Sequence, residues 1–477
     1  MNLSVRLMPR PNADGRGLFS AITAGERLGS SPPFYLVTLM VLRLRKLGLT
    51  ALSTATLLST ISRLVAADPS VEVYTQDSVV TSAAEGETNL LAYVPRFSFT
   101  IGGGYDDNVN AVNGGAGLAT GRVGSAFTQT HVTLTKDLRT PRTQINIKLG
   151  ASVVYYFNRV GRSTDITGTL DASLKHSVSE RLTLDAVINA AYLAEPDFST
   201  DLGPQQGRQN YFRTEDTLTA SYKWSSRLST DSSYLLRLID YQNSSANSES
   251  SGNANQNRVE DTFRESLRYR WSPRTTLVAE YRFGLIDYPD SSLRNSTTQT
   301  ALGGFDLRVN SQLTATFRGG ATYRKYEDAT RGDRIDPNLS ASLHYNIAPS
   351  TSLNWTASYS VEEPDSAGSQ GSLSRTTART GFQLSYAFTK LLSTNLNLNY
   401  HHDENDGLLA SGVRSGSTGA GGSASTDDAF ELTLGAKYKL TRRASLDVGF
   451  THSELDSGGQ TIGYTRNRYT AGLTVSY

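Results

Sequence analysis

The feature that most constrains this chain is an alternation of apolar and polar residues with period two. It recurs from Phe97 to the last residue, Tyr477. Successive side chains of a β-strand point to opposite faces, so such a run is a strand with one apolar and one polar side. Residues 263–285 show the unit clearly. Phe263, Leu267, Tyr269 and Trp271 share one face, and after a turn at 272–275 so do Leu277, Ala279, Tyr281, Phe283 and Leu285. Arg264, Ser266, Arg268 and Arg270, then Glu280, Arg282 and Gly284, take the other. The same pattern fills 145–157, 182–192, 313–323, 339–347, 430–438 and 469–477. No comparable helical period follows residue 96.

Connections between these runs alternate in length. Short turns fall near 139–142, 178–181, 225–227, 272–274, 310–312, 348–350, 389–390 and 441–443. Longer polar loops occupy 109–124, 195–209, 243–257, 328–334, 362–374 and 403–427. A soluble sandwich has no reason to sort its loops this way, whereas a transmembrane barrel has short periplasmic turns and long extracellular loops. Eight short turns predict an all-β, antiparallel, up-and-down barrel of about 18 strands. Sixteen follow if the weaker runs 228–240 or 297–309 are not strands. An even number puts both termini on the periplasmic side. Each run is close to the roughly 9–11 residues that a tilted strand needs to cross a bilayer. Aromatic residues gather at both ends of the apolar rows. Trp224, Trp271, Tyr345, Phe388, Tyr438 and Tyr477 lie near the turns, and Tyr105, Phe157, Tyr192, Tyr323, Tyr359 and Tyr400 near the loops. General β-propensity explains aromatics in strands but not two girdles of them.

Composition narrows the class further. With 38% hydrophobic and 19% charged residues, the chain is too polar for a helical membrane protein and too aromatic for a disordered one. There are no cysteines, which excludes disulfides and thiolate metal sites. The net charge of +1 gives no electrostatic case for a nucleic-acid partner. Residues 1–39 lack periodicity and read as a non-structural extension. From Met40, a basic stretch (Arg43, Arg45, Lys46), an apolar run to Ile61 and Val65-Ala66-Ala67 have the layout of a secretory signal peptide over 40–67. Ser53, Thr54, Thr56, Ser59, Thr60 and Arg63 make the run too polar for a spanning helix. Removing 1–67 takes away eight basic and two acidic residues and leaves a net charge of −5. A short periplasmic lead-in, 68–95, then precedes a barrel over 96–477.

The stretch 95–109, PRFSFTIGGGYDDNV, resembles the opening strand of a family of Gram-negative outer-membrane β-barrel porins, in which an apolar strand ends in Tyr-Asp-(Asp/Ser)-Asn. The final run, Tyr469 to Tyr477, is similar to the terminal strand of outer-membrane proteins, whose last aromatic residue is read by the barrel assembly machinery. The resemblance implies the cell outer membrane, contact with its lipids, and passage of small hydrophilic solutes. Some members of the family are linked to exopolysaccharide production, which implies a part in polysaccharide export as an alternative.

Chemistry-bearing motifs are sparse. Gly102–Gly104 and Gly114-Gly115-Ala116-Gly117 have no helix after them and so lack the geometry of a phosphate loop. Asp106-Asp107-Asn108 and the group Asp403, Glu404, Asp406 offer hard oxygen ligands for calcium without a complete loop pattern. His401 and His402 are adjacent on a strand and point apart, so a solvated loop boundary suits them better than one metal. The six histidines converge on no nucleophile, and neither catalytic residues nor a cofactor site are expected. The polar faces are more informative. Arg264, Arg268, Arg270, Arg282, Arg308, Arg318 and Arg324 fall on four neighbouring strands as candidate pore-lining residues, with Asp165, Asp171, Asp185 and Asp447 elsewhere on the wall. A patch of arginine biases a pore toward anionic solutes or acidic sugars. Glu280 and Asp306 lie within the patch and offset part of its charge, so an ordinary mixed-charge lumen is the preferred account. The expectation is a porin-like channel or export component, with a structural or adhesive barrel closed by the 403–427 loop as the alternative and an outer-membrane enzyme third. No residue pattern marks an oligomer interface.

Overall fold

The computed structural model describes residues 95–112, 122–159, 163–194, 210–242, 257–289, 294–328, 332–363, 375–405, 425–457 and 463–477. The extension, signal peptide and nearly all of the lead-in expected at the front therefore lie outside the described residues. Eighteen strands follow one another: β1 (Arg96–Asp106), β2 (Ser125–Arg139), β3 (Thr143–Tyr156), β4 (Thr164–Ser177), β5 (Leu182–Ala194), β6 (Asn210–Lys223), β7 (Leu228–Gln242), β8 (Arg258–Arg270) and β9 (Thr275–Asp287) make the first half. The second half is β10 (Ser296–Arg308), β11 (Leu313–Tyr326), β12 (Arg334–Ala348), β13 (Thr351–Glu362), β14 (Arg375–Ala387), β15 (Leu392–Asn405), β16 (Ser425–Lys439), β17 (Ala444–Ser457) and β18 (Tyr464–Ser476). Each pairs antiparallel with its neighbours in sequence, and β1 pairs with β18, closing the sheet. Both doubtful runs are strands, β7 and β10, so the count is 18 and not 16.

Two details of the connections are corrected. Asp403, Glu404 and Asp427 belong to β15 and β16 and not to the loop between them. Three loop-side connections, at 157–163, 288–295 and 458–463, lie between strands that the loop pattern did not separate.

The turns share one chemistry. At seven of eight, the first residue is Ser, Thr or Asn, and its side-chain oxygen accepts hydrogen bonds from the backbone N–H groups two and three residues on. Ser272 Oγ accepts from Arg274 at 3.2 Å and Thr275 at 3.0 Å. Thr140, Ser179, Ser225, Asn310, Thr389 and Thr441 do the same. Such side chains satisfy turn donors that no strand can reach. The exception is the β12–β13 turn at Pro349-Ser350, where the register shifts by a residue between Asn346 and Ala348.

The strand register sorts side chains into two sets. One row, running from Phe99 through Val132 and Ala151 around to Leu473 and Val475, is predominantly apolar outside the β6–β8 sector and forms the outer surface. It holds the expected aromatic girdles. The other row is polar and lines the lumen. At the seam, the β1 glycines have a steric reason. A Cβ on Gly104 would stand 1.8 Å from the Tyr469 carbonyl oxygen and 2.8 Å from the Phe127 ring. Gly303, on the outer row of β10, has nothing within 4 Å of such an atom. Gly104→Val should therefore abolish the compact, heat-modifiable band on unboiled gels, while Gly303→Ala should retain it.

Candidate functional site

On the lumen rows of β6–β11, eleven basic side chains meet five acidic ones. The basic set is Arg213, Lys223, Arg237, Arg258, Arg264, Arg268, Arg270, Arg282, Arg308, Arg318 and Arg324; the acids are Glu215, Asp231, Glu260, Glu280 and Asp306. The lumen rows of the other twelve strands carry equal numbers of each sign. Uncompensated positive charge is thus confined to one third of the wall.

The seven arginines expected to line a pore all occupy this row. Three of them, Arg264, Arg282 and Arg324, border a lumen cavity of about 940 Å³. Arg268 and Arg318 converge on Asp306 from either side, with Arg318 Nη2 at 2.5 Å. Arg270 and Arg308 sit at the turn-side ends of β8 and β10. Sequence patterning missed Arg237, Arg258, Glu215 and Glu260, which border the same cavity. Arg237 reaches Glu215 at 2.8 Å and Glu260 at 3.4 Å, and Arg258 reaches Glu260 at 2.6 Å. Arg258 shares the parity of Arg264, so extending β8 by three pairs toward the loop would have found it.

Adjoining this charged sector, the cavity has a different surface. Asn338, Ser340, Ser342, Thr356, Ser358, Ser360 and Asn399 bring hydroxyl and amide groups from β12, β13 and β15. Glu362 and Arg379 bring charge to its loop-side rim, where His401 also borders the cavity. His401 is buried in the lumen wall and His402 turns outward, its Nδ1 2.8 Å from Asp428 Oδ1. The two rings do point apart, but the solvated boundary expected at His401 is corrected: β15 runs past it to Asn405.

The loop side of the barrel folds inward. Glu363, just past β13, meets Arg324 on β11 and accepts a 2.6 Å hydrogen bond from Tyr288, just past β9. Burial and the Glu363 carboxylate push the Tyr288 hydroxyl well above its ordinary range, so it stays a donor. Arg294 stacks over the same ring at 4.1 Å. After β1, Val109 packs on Phe127 and Tyr156, and Ala111 on Ala429, Leu455 and Tyr464. The first loop thus enters the barrel mouth across the seam.

The Asp106-Asp107-Asn108 motif builds a latch there. The cation that Asp106 meets is Arg466 on β18, whose Nε lies 3.1 and 3.0 Å from the two carboxylate oxygens. Asp107 accepts from the Asn467 backbone N–H at 2.7 Å, its side-chain amide at 2.8 Å and Arg122 at 2.6 Å. Asn108 donates to the carbonyls of Val112 and Thr465 at 2.9 and 3.0 Å. These oxygens accept hydrogen bonds from donors of the seam. Among the described residues no group of three or more His, Asp or Glu is placed to hold a metal ion.

Comparison with known proteins adds the class. Residues 92–477 match the family described as "Putative beta-barrel porin 2". The chain belongs to that family. Membership and the closed 18-stranded barrel make it a porin-like channel for small solutes in the Gram-negative outer membrane, embedded in its lipid. The short turns are then periplasmic and the long loops extracellular. Among solved structures, the outer-membrane protein OpdK of Pseudomonas aeruginosa is 12% identical, covering 81% of this chain and 99% of its own, with a TM-score of 0.43. OpdK with vanillate gives 13%, 80%, 99% and 0.42 on the same measures. OccAB4 of Acinetobacter baumannii gives 11%, 80%, 98% and 0.39. No curated protein sequence matches.

The latch has a pH signature. Burial pushes the Asp107 carboxyl up, but the Asn467 and Arg122 hydrogen bonds outweigh it and hold the group below its ordinary 3.8. A carboxylate depressed in the folded state contributes stability that is present above its unfolded pKa and lost as pH falls through the folded one. Stability should therefore drop below about pH 4 in wild type. Asp107→Asn should show a shallower acid loss in melts taken from pH 7 to pH 2.

Proposed function

We propose that the lumen passes small hydrophilic solutes with a preference for anions, and that Arg264, Arg268, Arg270, Arg282, Arg308, Arg318 and Arg324 are the pore-lining residues that set it. One observation carries this reading: the surplus of basic over acidic side chains on the β6–β11 lumen rows, against none on the other twelve strands. Glu280 and Asp306 do offset part of the patch, as their positions suggest. Arg264, Arg270 and Arg308, however, have no carboxylate in ion-pair contact among the described residues. A one-sided charged wall around a narrow aqueous path raises the local concentration of counter-ions.

Export across the inner membrane through a signal peptide over 40–67, with residues 1–39 as a non-structural extension and 68–95 as a periplasmic lead-in, belongs to the same proposal. So does insertion by the barrel assembly machinery. Passage of a polysaccharide is a second reading. The hydroxyl and amide wall of β12, β13 and β15 supports it, because such groups exchange hydrogen bonds with sugars. A structural, closed barrel is the rival that the infolded mouth supports. Neither reading gives the barrel an enzymatic role.

Planar-bilayer recording tests the proposal. Stepwise conductance in KCl with a reversal potential favouring chloride is expected. Arg268→Ser, Arg282→Ser and Arg318→Ser combined should move the chloride-to-potassium permeability ratio toward unity. A folded but silent barrel would remove the channel, and an unchanged ratio would remove the role of the arginines.

A further inference from the structure

Arg264 and Arg282 stand directly opposite each other across β8 and β9, on the lumen row and near the middle of both strands. Like charges in that position destabilise a sheet. Arg282 is relieved by Glu280, its Nε 2.5 Å from Oε1. Arg264 is not relieved in this way. Among the described residues it meets no carboxylate in ion-pair contact, its Nη2 bonds only Ser233 Oγ at 3.1 Å, and its Nε is buried without a hydrogen-bond partner. Both guanidinium groups border the lumen cavity.

The next row toward the loops is Thr262, Gly284 and Thr298 in register. A Cβ on Gly284 would stand 2.3 Å from Thr298 Oγ1, so only a glycine leaves that hydroxyl its place beside Arg282. The cavity wall here carries two planar guanidinium forks with the threonine hydroxyls of the next row.

We propose that Arg264 and Arg282 form a binding subsite for the carboxylate of hydroxylated acids, the chemical class of sugar acids. This rests on the channel reading, since the subsite opens only into the lumen. Guanidinium forks match a carboxylate in bidentate geometry. With Glu280 taken by Arg282, one positive charge is left over. A monocarboxylate neutralises it, whereas a phosphate dianion overshoots. The hydroxyls of the same solute meet a further part of the cavity wall, where Ser340, Ser358 and Asn399 offer uncharged donors and acceptors. The bound anion removes the repulsion that the empty arginine pair carries.

Titration calorimetry on the folded barrel in detergent tests this apart from conduction. The probes are glucuronate, glucose and glucose 6-phosphate. Glucuronate should bind wild type and the turn variant Arg442→Gln alike, and Arg264→Gln at least about ten-fold more weakly. Arg264→Lys, which keeps the charge and loses the fork, should fall between them. Without ligand, Arg264→Gln should melt no lower than wild type, and glucuronate should raise the melting temperature of wild type only. Equal glucuronate affinity in wild type and Arg264→Gln, or equal affinity for glucose and glucuronate, overturns the subsite. Tighter glucose 6-phosphate binding overturns its assignment to carboxylates. Absence of bilayer conductance would remove the channel reading and leave the calorimetric result to decide the subsite.

Discussion

Everything in this molecule depends on a backbone that can leave no N–H or C=O group unpaired in lipid. Hydrocarbon offers no water to hydrogen-bond, so a spanning sheet must close on itself. Seventeen of the strand pairings are made by neighbours in sequence and cost only short connections. The eighteenth joins β1 to β18 across the length of the chain. It is also where the chain is most specialised. Glycines let the two backbones approach, the Phe97 and Tyr477 backbones exchange hydrogen bonds of 2.9 and 2.8 Å at the periplasmic end, and the Asp106–Asn108 latch ties down the extracellular end. The seam is thus held at both ends.

That view changes the meaning of the opening motif. Asp106-Asp107-Asn108 looks like a cation site because its residues are oxygen-rich, and no local pattern reveals that Arg466 supplies the cation from about 360 residues away. Long-range partners of this kind are invisible to periodicity. The strands themselves were legible, since each carries its own record of which face meets lipid. Eight turns were legible too, because Ser, Thr, Asn and Pro at fixed positions announce them. The three extracellular connections at 157–163, 288–295 and 458–463 were not separated from their strands. The lumen arginines were legible by parity wherever a strand was read to its true end. Their pairing was legible only in part: Glu280 lies two residues from Arg282 in sequence, but the opposition of Arg264 and Arg282 follows from the inter-strand register.

The strands that carry this positive sector inward carry acid outward. Asp216 on β6, Asp240 on β7, and Asp261 and Glu265 on β8 all lie on the outer row. In the hairpin of residues 263–285, Glu265 interrupts the apolar face between Phe263 and Leu267. Basic residues at the midplane of a barrel's lipid face cost about 2–4 kcal/mol, and acidic ones less. Three of these four acids are also given a hydroxyl donor. Thr214 serves Asp216 at 2.9 Å, Tyr234 serves Asp261 at 2.6 Å, and Ser232 serves Glu265 at 2.7 Å. The hydroxyls offset part of what it costs to hold these carboxylates on the lipid face. On the lumen side, Glu280 is bonded to Arg282 and also feels the charge of Arg264. One lumen carboxylate thus serves two guanidinium groups that stand opposite each other, and the sector keeps a positive surplus that its own acids do not cancel.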